Sequence, residues 1–252
     1  MDVLLLERIQ RKKMEFCTAT YVDDYVKTPS NNPRLEIIAE MVGRNKKVLD
    51  VGCFDGSISS LLMQNSNILF GMELSKRAIG SAKEKGVNVV LADVDETFPF
   101  SDHFFDVVFA GEIIEHVLDV DYWLQEIARV VKPDGYVVLT TPNLASLGRR
   151  FLLLLGRDPL TNQSLFSGAG HVRYFVKQTL TELLEKNNFK IVDFRSDIVN
   201  LTDRGNIFST KLARWFPNLG RGLVVKAGSL NIPKEPQLSV IETENALLKS
   251  ET

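Results

Sequence analysis

Five times between Lys47 and Asn143 a short run rich in Val, Ile and Leu ends at a turn and gives way to a polar or helix-patterned segment. The runs are "KVLDVG", "NILFGMEL", "VNVVLAD", "FFDVVFAG" and "GYVVLTTPN". Helical spacing marks "GSISSLLMQN", "SKRAIGSAKEKG", with Gly86 at its end, and "DVDYWLQEIARVVK". Runs that are apolar at consecutive positions are buried on both faces. Alternation with helices then implies a mostly parallel sheet covered on both sides. Right-handed crossovers leave a doubly wound α/β sheet as the leading topology.

The flanks are less regular. Residues 1–46 are mixed in charge and read as a helical segment, with Asn32 as cap and Pro33 in the first turn of a helix. Residues 47–230 form the main domain. The rhythm breaks after Asn143, and about 144–173 reads as an inserted lid, ending in a Gly-, Ser- and Asn-rich loop. Within it "RRFLLLLGR" pairs arginines with an apolar run, suited to covering a site, a homodimer contact, an acyl substrate or a membrane surface. "VKQTLTELLEKNNFKIVDF" reads as helix then strand, "RGLVVKAG" as the last strand, and 231–252 as a flexible tail.

A net charge of −2 gives no broad attraction to nucleic acid, and no DNA partner is expected. Cys17 and Cys53 lack metal or redox spacing and read as reduced thiols. The start lacks the basic-then-apolar order of a signal peptide, and Phe151 to Leu155 is too short to span a bilayer. A cytoplasmic protein is the expectation.

The loop "GCFDGS" after the first run is bounded by Gly52 and Gly56. A dinucleotide fingerprint needs G-x-G-x-x-G, but Phe54 and Ser57 stand at its second and third glycines. That argues against a pyrophosphate, and so against a nicotinamide oxidoreductase, but leaves room for a smaller anion such as an amino-acid carboxylate. Glu73, 21 residues beyond Gly52, suits a ribose diol. Asp93 ends the third run and is placed to accept from an exocyclic amine such as that of adenine. Three such features at successive strand ends lie along one crevice, where these sheets bind ligands.

With "VLDVGCFDG", "GMELS", "LADVDETFPF", "FFDVVFAGEIIEHV" and "VVKPDGYVVLTTPN" in this order, the chain resembles the class I S-adenosylmethionine-dependent methyltransferases, most closely the branch acting on small molecules and glycans. The resemblance implies a Rossmann-like sheet of about seven strands, mostly parallel with one antiparallel strand, and helices on both faces. "FKIVDF" and "GLVVKAG" are the candidates for its antiparallel hairpin. It implies S-adenosylmethionine as cofactor and S-adenosylhomocysteine as product. Asp50, Gly52 and Gly56 would shape the methionine pocket, with Cys53 and Phe54 beside them. Glu73 and Leu74 would meet the ribose, Asp93 and Val94 the adenine, and Glu112 would lie beside the sulfonium. Phe54 departs from the family pattern.

The expected reaction is methylation of a small molecule or glycan precursor, most simply at oxygen. A cofactor-binding protein without transferase activity and an RNA 2′-O-methyltransferase are the alternatives. Hydroxyl methylation needs help with a proton. Glu115, His116 and His171 are the candidates, because an imidazole titrates near neutrality. The same residues admit a structural reading. E-x-x-E-H with a distant histidine is also similar to the metal site of small-RNA 2′-O-methyltransferases, although no metal is expected here.

Overall fold

The computed structural model describes residues 32–159, 171–201 and 207–230. Most of the N-terminal segment, part of the expected lid (160–170), the expected tail and Cys17 lie outside the described residues. Helix α1 spans Pro33–Val42, and the Asn32 side chain accepts from the Arg34 N–H as the sequence predicts. Then follow β1 Lys47–Val51, α2 Ser57–Met63, β2 Ile68–Glu73, α3 Lys76–Glu84, β3 Asn88–Leu91, β4 Phe105–Gly111, α4 Val120–Val130 and β5 Val131–Pro142. Beyond these lie α5 Leu147–Leu154, α6 Lys177–Lys186, β6 Phe189–Ser196, β7 Val199–Asn200, β8 Phe208–Ser209, α7 Thr210–Trp215 and β9 Gly222–Ser229.

Seven strands form one sheet in the order β3-β2-β1-β4-β5-β9-β6. The pairs from β3 through β5 are parallel, and β9 runs antiparallel to both its neighbours. This is the doubly wound α/β sheet that the sequence predicts, with the Rossmann-like form and one antiparallel strand that the resemblance implies. Consecutive residues of each central strand enter opposite cores. Val48, Val107, Val138 and Val224 pack with Ile38 and Met41 of α1, Leu62 of α2 and Ile79 of α3. Leu49, Val108, Val137 and Val225 pack with Trp123 and Ile127 of α4 and with Leu180 and Leu184 of α6. Two-sided burial is the reason these runs lack polar alternation.

Three features differ from the sequence reading. β5 begins at Val131, inside the segment read as helix, because Phe105 pairs with Val131 before a register shift. β6 and β9 are antiparallel neighbours but not a hairpin, since β7, β8 and α7 intervene. β7 and β8 make a separate two-stranded ladder. The connection carrying Asp93 is fixed to α4 by Arg129, which binds Glu126, Asp102 and the carbonyls of Phe98 and Phe100.

Candidate active site

The site is built at the carboxyl ends of β1, β2, β3 and β4, beside the point where strand order reverses between β1 and β4. The loop after β1 has three left-handed residues, Gly52, Phe54 and Gly56, with φ of 73°, 47° and 74°. At Gly56 a side chain would strike Ala82 of α3 at 2.9 Å, so this glycine lets α2 pack on α3. Phe54 adopts a glycine-like conformation, which is uncommon for a residue with a Cβ. A hydrogen bond holds it there: the Phe54 N–H donates to Glu73 Oε2 at 3.0 Å. The Ser75 N–H donates to Glu73 Oε1 at 2.7 Å. Glu73 thus clamps the first loop to the second strand end. Burial raises its pKa, and the N–H donors of Ser75, Phe54 and Leu74 oppose the rise. A carboxylate oxygen accepts more than one hydrogen bond, so both Glu73 oxygens retain capacity toward a diol.

Beneath the loop, Asp50 is buried and accepts from Ser59 Oγ at 2.5 Å. Burial pushes it from the ordinary 3.8 to about 7; Ser59 opposes that shift and Glu73 adds to it. The folded state therefore holds this proton more tightly than the unfolded chain. By linkage, Asp50's contribution to stability is full below pH 4 and is lost as pH rises toward 7. In the cofactor-free protein, Asp50→Asn is expected to raise stability at pH 8 by about 2 kcal/mol, roughly 4–8 °C in Tm, with little difference at pH 4. Thermal melts at the two pH values check this, and equal gains at both would contradict it. Cys53 turns its thiol inward against Gly71, and burial drives its pKa up.

Asp93 Oδ1 accepts from the Asp95 N–H at 3.0 Å, closing a turn after β3. Asp95 Oδ1 accepts from the Leu118 N–H at 2.8 Å, which ties this turn to the loop after β4. Leu74 and Val94 are half-buried between these acids. Glu112 follows β4 in the left-handed region, φ 54°. Its N–H donates to Thr140 O at 3.0 Å, and its Oε1 accepts from Thr140 Oγ1 at 2.9 Å. The same oxygen pairs with Arg34 Nη1 at 3.0 Å, bringing the start of α1 to the site.

Three residues further, Glu115 is buried, with Oε2 accepting from Thr141 Oγ1 at 3.0 Å. Burial and the nearby Glu112 push its pKa up to about 8. The Val172 N–H donates to Glu115 O at 2.9 Å and so brings His171 alongside. His171 Nε2 lies 3.9 Å from Glu115 Oε1, and the His116 and His171 rings are 4.7 Å apart, edge to face. Among the described residues, Glu115 Oε1 and His171 Nδ1 are buried without a hydrogen-bond partner. Burial lowers the His171 pKa, which favours the neutral, proton-accepting imidazole. One ligand atom each from Glu115, His116 and His171 lies within 4.8 Å of the others.

His103 is elsewhere: its Nδ1 meets Val131 O at 3.0 Å, at the opposite end of β4. Sequence reasoning missed Arg34 and also Arg149, a half-buried arginine of α5 that donates to Asn143 O at 2.9 Å. Arg149 lies within electrostatic reach of Glu112, Tyr174 and His171. Neither arginine belongs to a motif, and only the packing of α1 and α5 brings them here.

A central switch point, a glycine-bounded loop and acids at the carboxyl ends of β1, β2 and β3 define a Rossmann-like α/β protein. Solved structures share the fold. The chain is similar to a possible histamine N-methyltransferase from Thermotoga maritima, at TM-score 0.57 and 19% identity, covering 77% of this chain and 89% of that one. It is also similar to the 1,6-didemethyltoxoflavin-N1-methyltransferase of Burkholderia thailandensis, at 0.57 and 17%, covering 90% and 88%. Among curated proteins it is 28% identical over 160 residues to a ubiquinone biosynthesis O-methyltransferase of Bartonella bacilliformis, and 32% identical over 155 residues to one of Klebsiella pneumoniae. Each match covers 58% of this chain, and the chain spans 61% and 63% of those two relatives' lengths. The family described as "Methyltransferase domain" matches residues 31–193. The chain belongs to that family, and the Burkholderia structure that shares its fold holds S-adenosylhomocysteine. The donor set suits this ligand, with paired acceptor capacity for a ribose diol at Glu73 and an open left-handed loop beside it.

Proposed function

We propose that this enzyme methylates a hydroxyl group of a small organic acceptor, with His171 receiving the hydroxyl proton. The observation that carries the proposal is the buried His171 imidazole next to Glu112 at the end of β4: its Nε2 lies 3.9 Å from Glu115 Oε1, and its Nδ1 has no hydrogen-bond partner among the described residues. The ubiquinone-biosynthesis O-methyltransferase relatives support oxygen as the methylated atom. In this reading Asp50, Gly52, Cys53, Phe54 and Gly56 form the methionine side of the crevice. Glu73 and Leu74 hold the ribose, Asp93 and Val94 the adenine, and Glu112 lies near the sulfonium. When bound, S-adenosylmethionine supplies an electrophilic methyl group on sulfur. The chain's own work is to align the acceptor oxygen with that methyl, exclude water and take up one proton. Glu115, kept protonated by burial, lies beside the His171 ring, and His116 packs against it edge to face.

A second reading is favoured by the convergence of Glu115, His116 and His171: a divalent cation held there would lower the hydroxyl pKa directly. The test of both is transfer of labelled methyl from the cofactor to a panel of phenols, catechols, aliphatic alcohols and amines, with and without chelator. Label in hydroxyl acceptors that survives chelation supports the histidine base. Label lost with chelator and restored by Mg or Mn supports the cation. Label only in amines, or cofactor binding with no product from any acceptor, overturns hydroxyl methylation.

A further inference from the structure

Helix α5 buries none of its residues. Phe151, Leu153 and Leu154 on it, and Leu155 just after it, are exposed, Leu154 at 80%. An eight-residue helix with this composition has no reason to leave so much apolar surface in water unless something else covers it. The surface does not end there. α5 packs against β7, β7 pairs with β8, and α7 packs against β7 in turn. These neighbours expose Phe208, Leu212, Trp215 at 78% and Phe216. Arg150 and Arg157 flank the apolar run on the α5 side, and Lys211 and Arg214 do so on the α7 side, all exposed. α5, β7, β8 and α7 carry no acidic residue. In a chain of net charge −2 this is a local concentration of cations around aromatic and aliphatic side chains.

We infer that the face carried by α5, the β7–β8 ladder and α7 docks on the surface of an anionic lipid bilayer. Large apolar side chains enter the acyl boundary, an indole sits at headgroup depth, and long cationic side chains reach back to lipid phosphates. Among the described residues no helix is long and apolar enough to cross a membrane. Charge argues against a second copy as the occupant: a two-fold contact would set Arg150, Lys211 and Arg214 against their own equivalents, and α5, β7, β8 and α7 bring no acid to pair them, Asp158 lying beside Arg157 at the rim. The docked helix is the one whose Arg149 reaches inward to Asn143, so the lipid-facing side and the candidate site share a wall. The inference rests on this surface and not on which atom is methylated.

Flotation of the full chain with vesicles tests it. The protein is expected to float with phosphatidylglycerol vesicles, to stay behind with phosphatidylcholine, and to be released as salt rises from about 0.1 M toward 1 M. Trp215 is an internal probe, because the chain's other tryptophan, Trp123, is fully buried. Its emission should shift to the blue on binding, and Trp215→Phe should abolish the shift. Leu154→Glu, and separately Arg150→Glu with Arg214→Glu, should each reduce vesicle binding by ten-fold or more, with near-ultraviolet circular dichroism unchanged. Absence of flotation with the anionic vesicles overturns the inference. So does equal flotation with both lipids at all salt concentrations, or a dimer in solution that Leu154→Glu dissociates while vesicles capture nothing.

Discussion

Alanine at His171 is expected to lower kcat by about 10²–10⁴-fold while leaving S-adenosylmethionine affinity nearly unchanged. The imidazole lies among Glu115, His116 and Tyr174, beyond the strand ends that would hold the cofactor, and its Nδ1 has no hydrogen-bond partner among the described residues. Burial lowers its pKa, so the neutral base persists below the ordinary 6.5. The acid limb of kcat/KM in the parent enzyme should therefore fall below pH 6.5 and should vanish in His171→Ala. Single-turnover measurements with a responsive acceptor, across pH, separate this from a packing defect. A variant that keeps full turnover and an unaltered pH profile would remove His171 from the chemistry.

Glu73→Ala should raise the dissociation constant for S-adenosylmethionine by about two orders of magnitude, near 3 kcal/mol. Two losses combine. The diol loses its acceptors, and the N–H groups of Phe54 and Ser75 lose the carboxylate that clamps the loop. Phe54, held in the left-handed region at φ 47°, is then free to relax away from its native conformation. Glu73→Gln keeps one acceptor oxygen and should lie between alanine and the parent. Asp93→Ala should cost about 1 kcal/mol, the loss of one hydrogen-bond acceptor toward the adenine amine. Calorimetric titration ranks the three. A Glu73→Ala protein that binds as tightly as the parent would place the ribose elsewhere.

The parts of this molecule legible in its sequence share a physical property: they are local or periodic. The β1 to β5 alternation shows because two-sided burial demands uninterrupted apolar runs. The start of α1 shows because a cap and a first-turn proline act within three residues. Glu73 could be singled out because a strand of fixed rise places its end at a set distance from the loop. The acid–histidine group was legible only as residue types. That Glu115 and His116 meet His171 depends on the segment after 171 folding back to donate to Glu115 O.

What the chain's order of residues determined unaided was the run of central strands β1 to β5 and the helices between them, because burial periodicity and short-range capping are written in neighbouring positions. Only the tertiary structure decided that Arg34 reaches Glu112, that Arg149 turns inward while its helix leaves Leu154 in the open, and that β7 and β8 extend this face. These contacts join residues far apart in the chain, where no periodicity or spacing records the partner, and they exist only once the packed helices bring them together.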